Sequence, residues 1–124
     1  MSTYLLNFKR EFSFRVERGE KRQTIRRHRA DGKRMQPGDV LKLYTGLRTK
    51  DARLLRTATV ERCRSVRMDF EDDSIVIDGA KLTWEEKLEF AQADGFKGWA
   101  DMRQFFKDQY GLAVFEGFCV EWRA

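Results

Sequence analysis

The chain opens on a short strand-like stretch, TYLLN, over residues 3–7. The apolar spacing then changes: Phe8, Phe12 and Val16 recur every four residues, which predicts a short amphipathic helix over about 9–18. Gly19 supplies the stop, because a glycine just past a helix end allows the chain to turn with positive φ. A new strand is expected around residues 23–27. Residues 30–38 carry Asp-Gly and Pro-Gly turn signals and read as loop. Residues 40–44 form an apolar strand, 45–51 a loop or single turn, and 55–68 a long strand of alternating β-branched and apolar residues. That alternation slips near Cys63, the mark of a bulge or bend.

Residues 74–77 and 81–82 flank Asp78-Gly79, a hairpin signal. Thr83-Trp84-Glu85-Glu86 fits the capping box, in which threonine and glutamate each bond the other's backbone amide. The helix it starts should reach about Ala93, with Trp84, Leu88 and Ala91 on one face, and Asp94-Gly95 should break it. Trp99, Met102 and Phe106 line a second helix ending near Gly111, and Phe118, Val120 and Trp122 alternate on a closing strand. The order βα-ββββ-αα-β predicts an α+β fold: five or six strands in a small curved sheet or barrel, with short helices at its mouth.

At 124 residues, 41% of them hydrophobic and 13% aromatic, the chain suits a single domain spanning 1–124 with a full core. No apolar run approaches the roughly 20 residues of a spanning helix. The start, MSTYLLNFKREF, lacks the apolar stretch and cleavage site of a signal peptide, so the expected setting is cytoplasmic, with no membrane partner. Cys63 and Cys119 lie far apart and only one histidine is present, too few soft ligands for zinc. Two reduced thiols, no metal and no cofactor are expected.

Charge changes the picture. Residues 1–70 carry 19 lysines and arginines against 8 acids, whereas residues 71–124 carry 6 against 12. Polarisation of this kind suits a basic face that attracts polyanions. The densest stretch, GEKRQTIRRHR at 19–29, holds five lysines and arginines, one threonine and His28. Arginine offers a planar fork and lysine a point charge, both suited to phosphate. Arg22, Arg26 and Arg27 are the candidates here, and His28 reads as a phosphate contact or an exposed side chain rather than a base. Tyr44 leads into Thr45-Gly46-Leu47-Arg48-Thr49-Lys50, where an aromatic beside Arg48 and Lys50 fits base stacking or simply completes its strand.

The spacing Gly19-x-Lys21-x-x-Thr24-x-Arg26 resembles the GxKxx(E/T)xR signature of ASCH domains, in the PUA-like superfamily. The stretch RQTIRRHRADGKRMQPGDVLKLYTGLRTKDARLL is similar to the TIR…PGD.L.LYTG.RTK run of bacterial and phage-type members, and ADGF…W..MR.FF...YG with FEGFCVEW to their closing segments. The resemblance implies a small PUA-like β-barrel with helices bordering a basic cleft, and a module binding RNA or a modified nucleoside. One ASCH branch hydrolyses the amide of N4-acetylcytidine with a lysine, a threonine and a carboxylate. By that resemblance Lys21 and Thr24 match the first two, and Asp94, before Glu89, takes the place of the family's glutamate. Thr24 would be the nucleophile, Lys21 the proton acceptor, and Asp94 the group that orients the lysine or shuttles a proton. A protein-interaction domain for an acidic partner is the remaining reading of the basic surface.

Overall fold

The computed structural model describes residues 1–111 and 113–123. The chain has a mixed α+β architecture, with seven strands and three helices among the described residues. The elements are β1 (Thr3–Phe8), α1 (Arg10–Glu17), β2 (Gln23–Arg27), β3 (Val40–Thr45), β4 (Arg53–Asp69), β5 (Ser74–Ile77), β6 (Ala80–Lys81), α2 (Trp84–Ala93), α3 (Trp99–Tyr110) and β7 (Val114–Arg123). Strands pair along the path β1-β3-β4-β5-β6, with β7 pairing both β2 and β4, and this path is open rather than closed. The seventh strand, beyond the five or six expected, is the two-residue β6. It sits one residue earlier than the stretch the sequence suggested.

Two compact units are formed. The first comprises Met1–Gln23, Arg34–Cys63 and Val120–Ala124, and the second Thr24–Lys33 and Arg64–Cys119. In the first, β1 runs parallel to β3 with Tyr4 beside Leu41 and Leu6 beside Leu43. The strict buried–exposed alternation of β1 follows from the two-residue period of a strand with one covered face. The Asp39 carboxylate accepts from the Ser2 and Gln36 amides, 2.9 and 2.8 Å away, and so ties down the start of β3. Antiparallel pairing with β4 runs from Val40↔Thr59 to Leu43↔Arg56, then shifts to Tyr44↔Leu54. That shift leaves Leu55 as a bulge. The alternation of buried and exposed residues on β4 is also lost over residues 61–65, around Cys63, and the boundary between the two units falls at Cys63/Arg64. α1 buries Ser13 and Val16, while Phe8 packs edge-on against Trp122.

The end of α1 is built as its glycine implied. Gly19 has φ 77°, its amide donates to Val16 O at 3.1 Å, and the Arg56 guanidinium donates to Glu17 O. Those bonds satisfy carbonyls that a helix end leaves without intrahelical partners.

In the second unit β4 pairs with β5 (Val66↔Ile77, Met68↔Ile75) and β5 turns into β6 through Asp78 and Gly79, both at positive φ. That is the backbone demanded by a tight two-residue hairpin. The capping box of α2 is present in both directions: Glu86 N donates to Thr83 Oγ1, and Thr83 N to Glu86 Oε1. The buried face of α2 differs from the one expected. Trp84 is 69% and Leu88 47% exposed, whereas Lys87, Phe90 and Ala91 are buried. Lys87 wins this position because its ammonium lies over the Trp84 and Trp99 rings and donates to Asp73 O. A cation over an aromatic face, with a carbonyl to accept its proton, is a favourable way to bury an ammonium. Phe96, Phe106, Tyr110 and Phe115 form an aromatic cluster along α3 and β7, and Gly111 (φ 65°) ends α3.

Candidate functional site

The basic segment divides between the units at Gln23/Thr24. On the first-unit side, Lys21 is buried and its Nζ lies 5.0 Å from the centroid of the Phe12 ring. A cation over an aromatic face is favourable, the more so where water is excluded. Arg22 is exposed, and its Nε donates to Gly19 O at 2.8 Å.

On the second-unit side the side chains of β2 converge. Thr24 and Arg26, two apart on a strand, share a face. Arg26 Nε donates to Thr24 Oγ1 at 3.1 Å. Thr24 is buried and Arg26 is half-buried. Burial pulls the Arg26 pKa below its usual value, while Tyr110 and Asp94 close by act in the opposite direction. Asp94, buried at the C-terminal end of α2, has its amide bonded to carbonyls of the last turn. It lies close enough for its charge to act on Arg26. Glu89, the other candidate carboxylate, is exposed.

Arg27 points to the other face of β2 and is exposed. Its guanidinium lies over the Tyr110 ring, 5.5 Å from the centroid. Arg27 and His28 line a surface cleft of about 520 Å³ with Val114 and Glu116. His28 is exposed, with Phe118 as its ring neighbour at 6.2 Å. The position of β2 depends on a close approach: a Cβ at Gly117 would stand 2.1 Å from Arg26 O, so only glycine fits on β7 there.

Among the expected residues, then, Thr24, Arg26 and Asp94 are brought together and Arg27 lies on the opposite face of the same strand. Tyr44, Arg48 and Lys50 belong to the first unit: Tyr44 is half-buried on β3, and Arg48 and Lys50 are exposed in the following loop. Sequence reasoning missed Tyr110 and Gly117. An isolated glycine inside a strand pattern was the available signal for the second. It also treated Arg26 as a ligand contact alone, although the two-residue period already put it beside Thr24.

A hydroxyl whose oxygen accepts from a guanidinium can still give up its own proton. Positive charge at that oxygen also favours the alkoxide over the alcohol. The cluster can thus bind an acyl or phosphoryl oxygen, or activate Thr24. Among the described residues no group of three or more histidine, cysteine, aspartate or glutamate side chains could hold a metal ion, and no helix is long and apolar enough to cross a membrane. No family model, curated protein or solved structure matches the chain.

Proposed function

We propose that the chain is an ASCH-type module that binds RNA or a modified nucleoside, with Arg26 and Arg27 on β2 supplying the anionic contacts. The strands would curve as in a PUA-like barrel, with the helices bordering a basic cleft, and the setting would be cytoplasmic. The observation that carries this reading is the grouping of Thr24, Arg26 and Asp94 around one buried polar spot, with Arg27 seated on Tyr110 beside an open cleft. Hydroxyl, guanidinium and carboxylate together offer a donor and acceptor set for a nucleobase edge. Arg27 offers a cation and Tyr110 an aromatic face for a neighbouring nucleotide. Fluorescence titration of labelled single-stranded RNA should show affinity that falls steeply with salt, through counterion release. Absence of binding at low salt, or binding indifferent to salt, refutes the polyanion reading.

A second reading is favoured by the Arg26–Thr24 hydrogen bond specifically: hydrolysis of an N4-acylcytidine amide to the free carboxylate and cytidine. Thr24 Oγ would attack the carbonyl and pass its proton through Asp94 to N4 of the departing cytidine. Water would then cleave the acyl-threonine ester to the carboxylate, with Arg26 steadying the charge that develops on oxygen. Incubation with N4-acetylcytidine and chromatography for cytidine decides it. Turnover abolished by both Lys21→Ala and Thr24→Ala, in folded variants, supports the enzyme. No turnover by the parent chain leaves the binding module.

A further inference from the structure

The first unit holds a separate cleft of about 550 Å³ that the reading above does not use. The chain from the end of β1 into α1 forms one wall, and the loop from Thr45 to the start of β4 the other. Lys9, Arg10 and Arg53 contribute cations, Ser13 and Thr49 hydroxyls, and Asp51 a carboxylate. Arg53 is already paired with Glu17. The Arg10 guanidinium and the Asp51 carboxylate, by contrast, make no ion pair with one another or with any described residue. Opposite charges thus face one cleft without meeting.

The loop wall is held in shape by its own bonds. Thr45 Oγ1 donates to Phe8 O at 2.9 Å, Leu47 N to Asn7 Oδ1 at 2.8 Å, and Thr49 Oγ1 to Gly46 O at 2.6 Å. Two of these bonds tie the loop directly to the end of β1, so the cleft exists before a ligand arrives. Its volume lies within the range of small-molecule sites and far exceeds that of a single phosphate ion.

We propose that this cleft binds a nucleotide through its terminal phosphate. Lys9, Arg10 and Arg53 meet the phosphate, where charge-assisted hydrogen bonds are strongest. Asp51 and Thr49 meet the ribose hydroxyls, which donate to a carboxylate as in other ribose sites. Asp51 would repel inorganic phosphate, so the cleft favours a phosphate that carries a hydroxylated body. The phosphate could belong to a free nucleotide or to the 5′ end of an RNA strand.

The test is titration of the full chain, followed by amide NMR shifts, with cytidine 5′-monophosphate, cytidine, and a trinucleotide with and without its 5′-phosphate. Saturable shifts at residues 7–13 and 45–53 are expected for at least one phosphorylated probe. The unphosphorylated partner should bind about tenfold more weakly. Which of the two phosphorylated probes binds more tightly identifies the source. Arg10→Gln should weaken that binding about tenfold, Asp51→Asn should weaken it, and Lys81→Gln, which removes an exposed cation of the other unit, should leave it unchanged. The proposal is overturned if neither phosphorylated probe shifts these residues, if phosphorylation makes no difference, or if Lys81→Gln weakens the binding as much as Arg10→Gln. Because no β2 residue takes part, its failure leaves the β2 reading standing, and the reverse holds too.

Discussion

Two stretches of this chain carry arginines beside threonines, and they use them differently. On β2, Arg26 is half-buried and spends its Nε on Thr24, within reach of Asp94 and Tyr110. In residues 45–53, Arg48 and Lys50 are exposed, and the loop's hydroxyls bond backbone carbonyls instead, of Phe8 on β1 and of Gly46. A charge removed from water must be partnered by the protein, so it becomes part of the fold and selects by shape and hydrogen bonding. A charge left in water costs nothing to keep and acts at long range, subject to salt. Basic composition alone does not separate these roles. Position on the strand does.

The comparison breaks most completely at Gly117. Gly117→Ala drives a Cβ into the carbonyl of Arg26, at 2.1 Å from an oxygen that belongs to rigid backbone. Neither β2 nor β7 can give way without losing its place, so a loss of about 3 kcal/mol or more is expected from overpacking. Urea denaturation measures it. A loss under 1 kcal/mol would mean that β2 is not held by this contact.

Next in size is Thr24→Val, which keeps the shape and removes the oxygen. Arg26 Nε then loses its 3.1 Å acceptor, which should cost about 1–3 kcal/mol as an unmet donor. Arg48→Ala serves as the control and should show no such loss. Equal effects from the two variants would erase the distinction between buried and exposed arginine.

How much of this was legible beforehand follows the range of the physics involved. Gly19, Asp78-Gly79 and the Thr83–Glu86 box act over three or four residues, and each does what its local chemistry implied. The buried face of α2 was misjudged because Trp84 and Leu88 are the more apolar residues, while Lys87 has Asp73, Trp84 and Trp99 to receive it. Two of those partners lie more than ten residues away in sequence. The slip near Cys63 was legible, since the burial alternation does fail there, but the bulge at Leu55 was not, because register is set by the partner strand and the skip occurs where Tyr44 meets Leu54. Of the candidate site, the Thr24–Arg26 pairing was within reach of a period-two reading, whereas Asp94 was named beside Thr24 only by the family resemblance, because no local spacing links β2 to α2.

Acid titration sharpens the contrast from the anionic side. Asp39 is held below the usual carboxylate range mainly by hydrogen bonds from the Ser2 and Gln36 amides, against the opposing effect of burial. A carboxylate with a lowered folded-state pKa stabilises the protein fully above its unfolded value of about 4. That contribution is lost as pH falls through the lowered value. The gap in melting temperature between the parent and Asp39→Asn should therefore be constant above about pH 5 and close below about pH 4. A gap that persists unchanged to pH 2 would show that the charge plays no part.

The smallest effects belong to Arg48, where two consequences can be separated. Its φ is 71°, a left-handed backbone that costs a side-chain-bearing residue about 1 kcal/mol relative to glycine. Arg48→Gly should therefore stabilise the protein by up to about 1 kcal/mol, while Arg48→Ala, which keeps a Cβ in the same conformation, should not. Both substitutions remove one exposed cation. If Arg48 contacts RNA, each should reduce the slope of log affinity against log salt by about 0.7, the value for one phosphate on a single strand. Stability and salt slope then move independently: glycine changes both, and alanine only the second. If alanine leaves the slope intact, Arg48 makes no phosphate contact and its strained backbone serves only the shape of the loop. If both substitutions lower the slope equally, the exposed arginine acts through its charge alone, as its place in water implies.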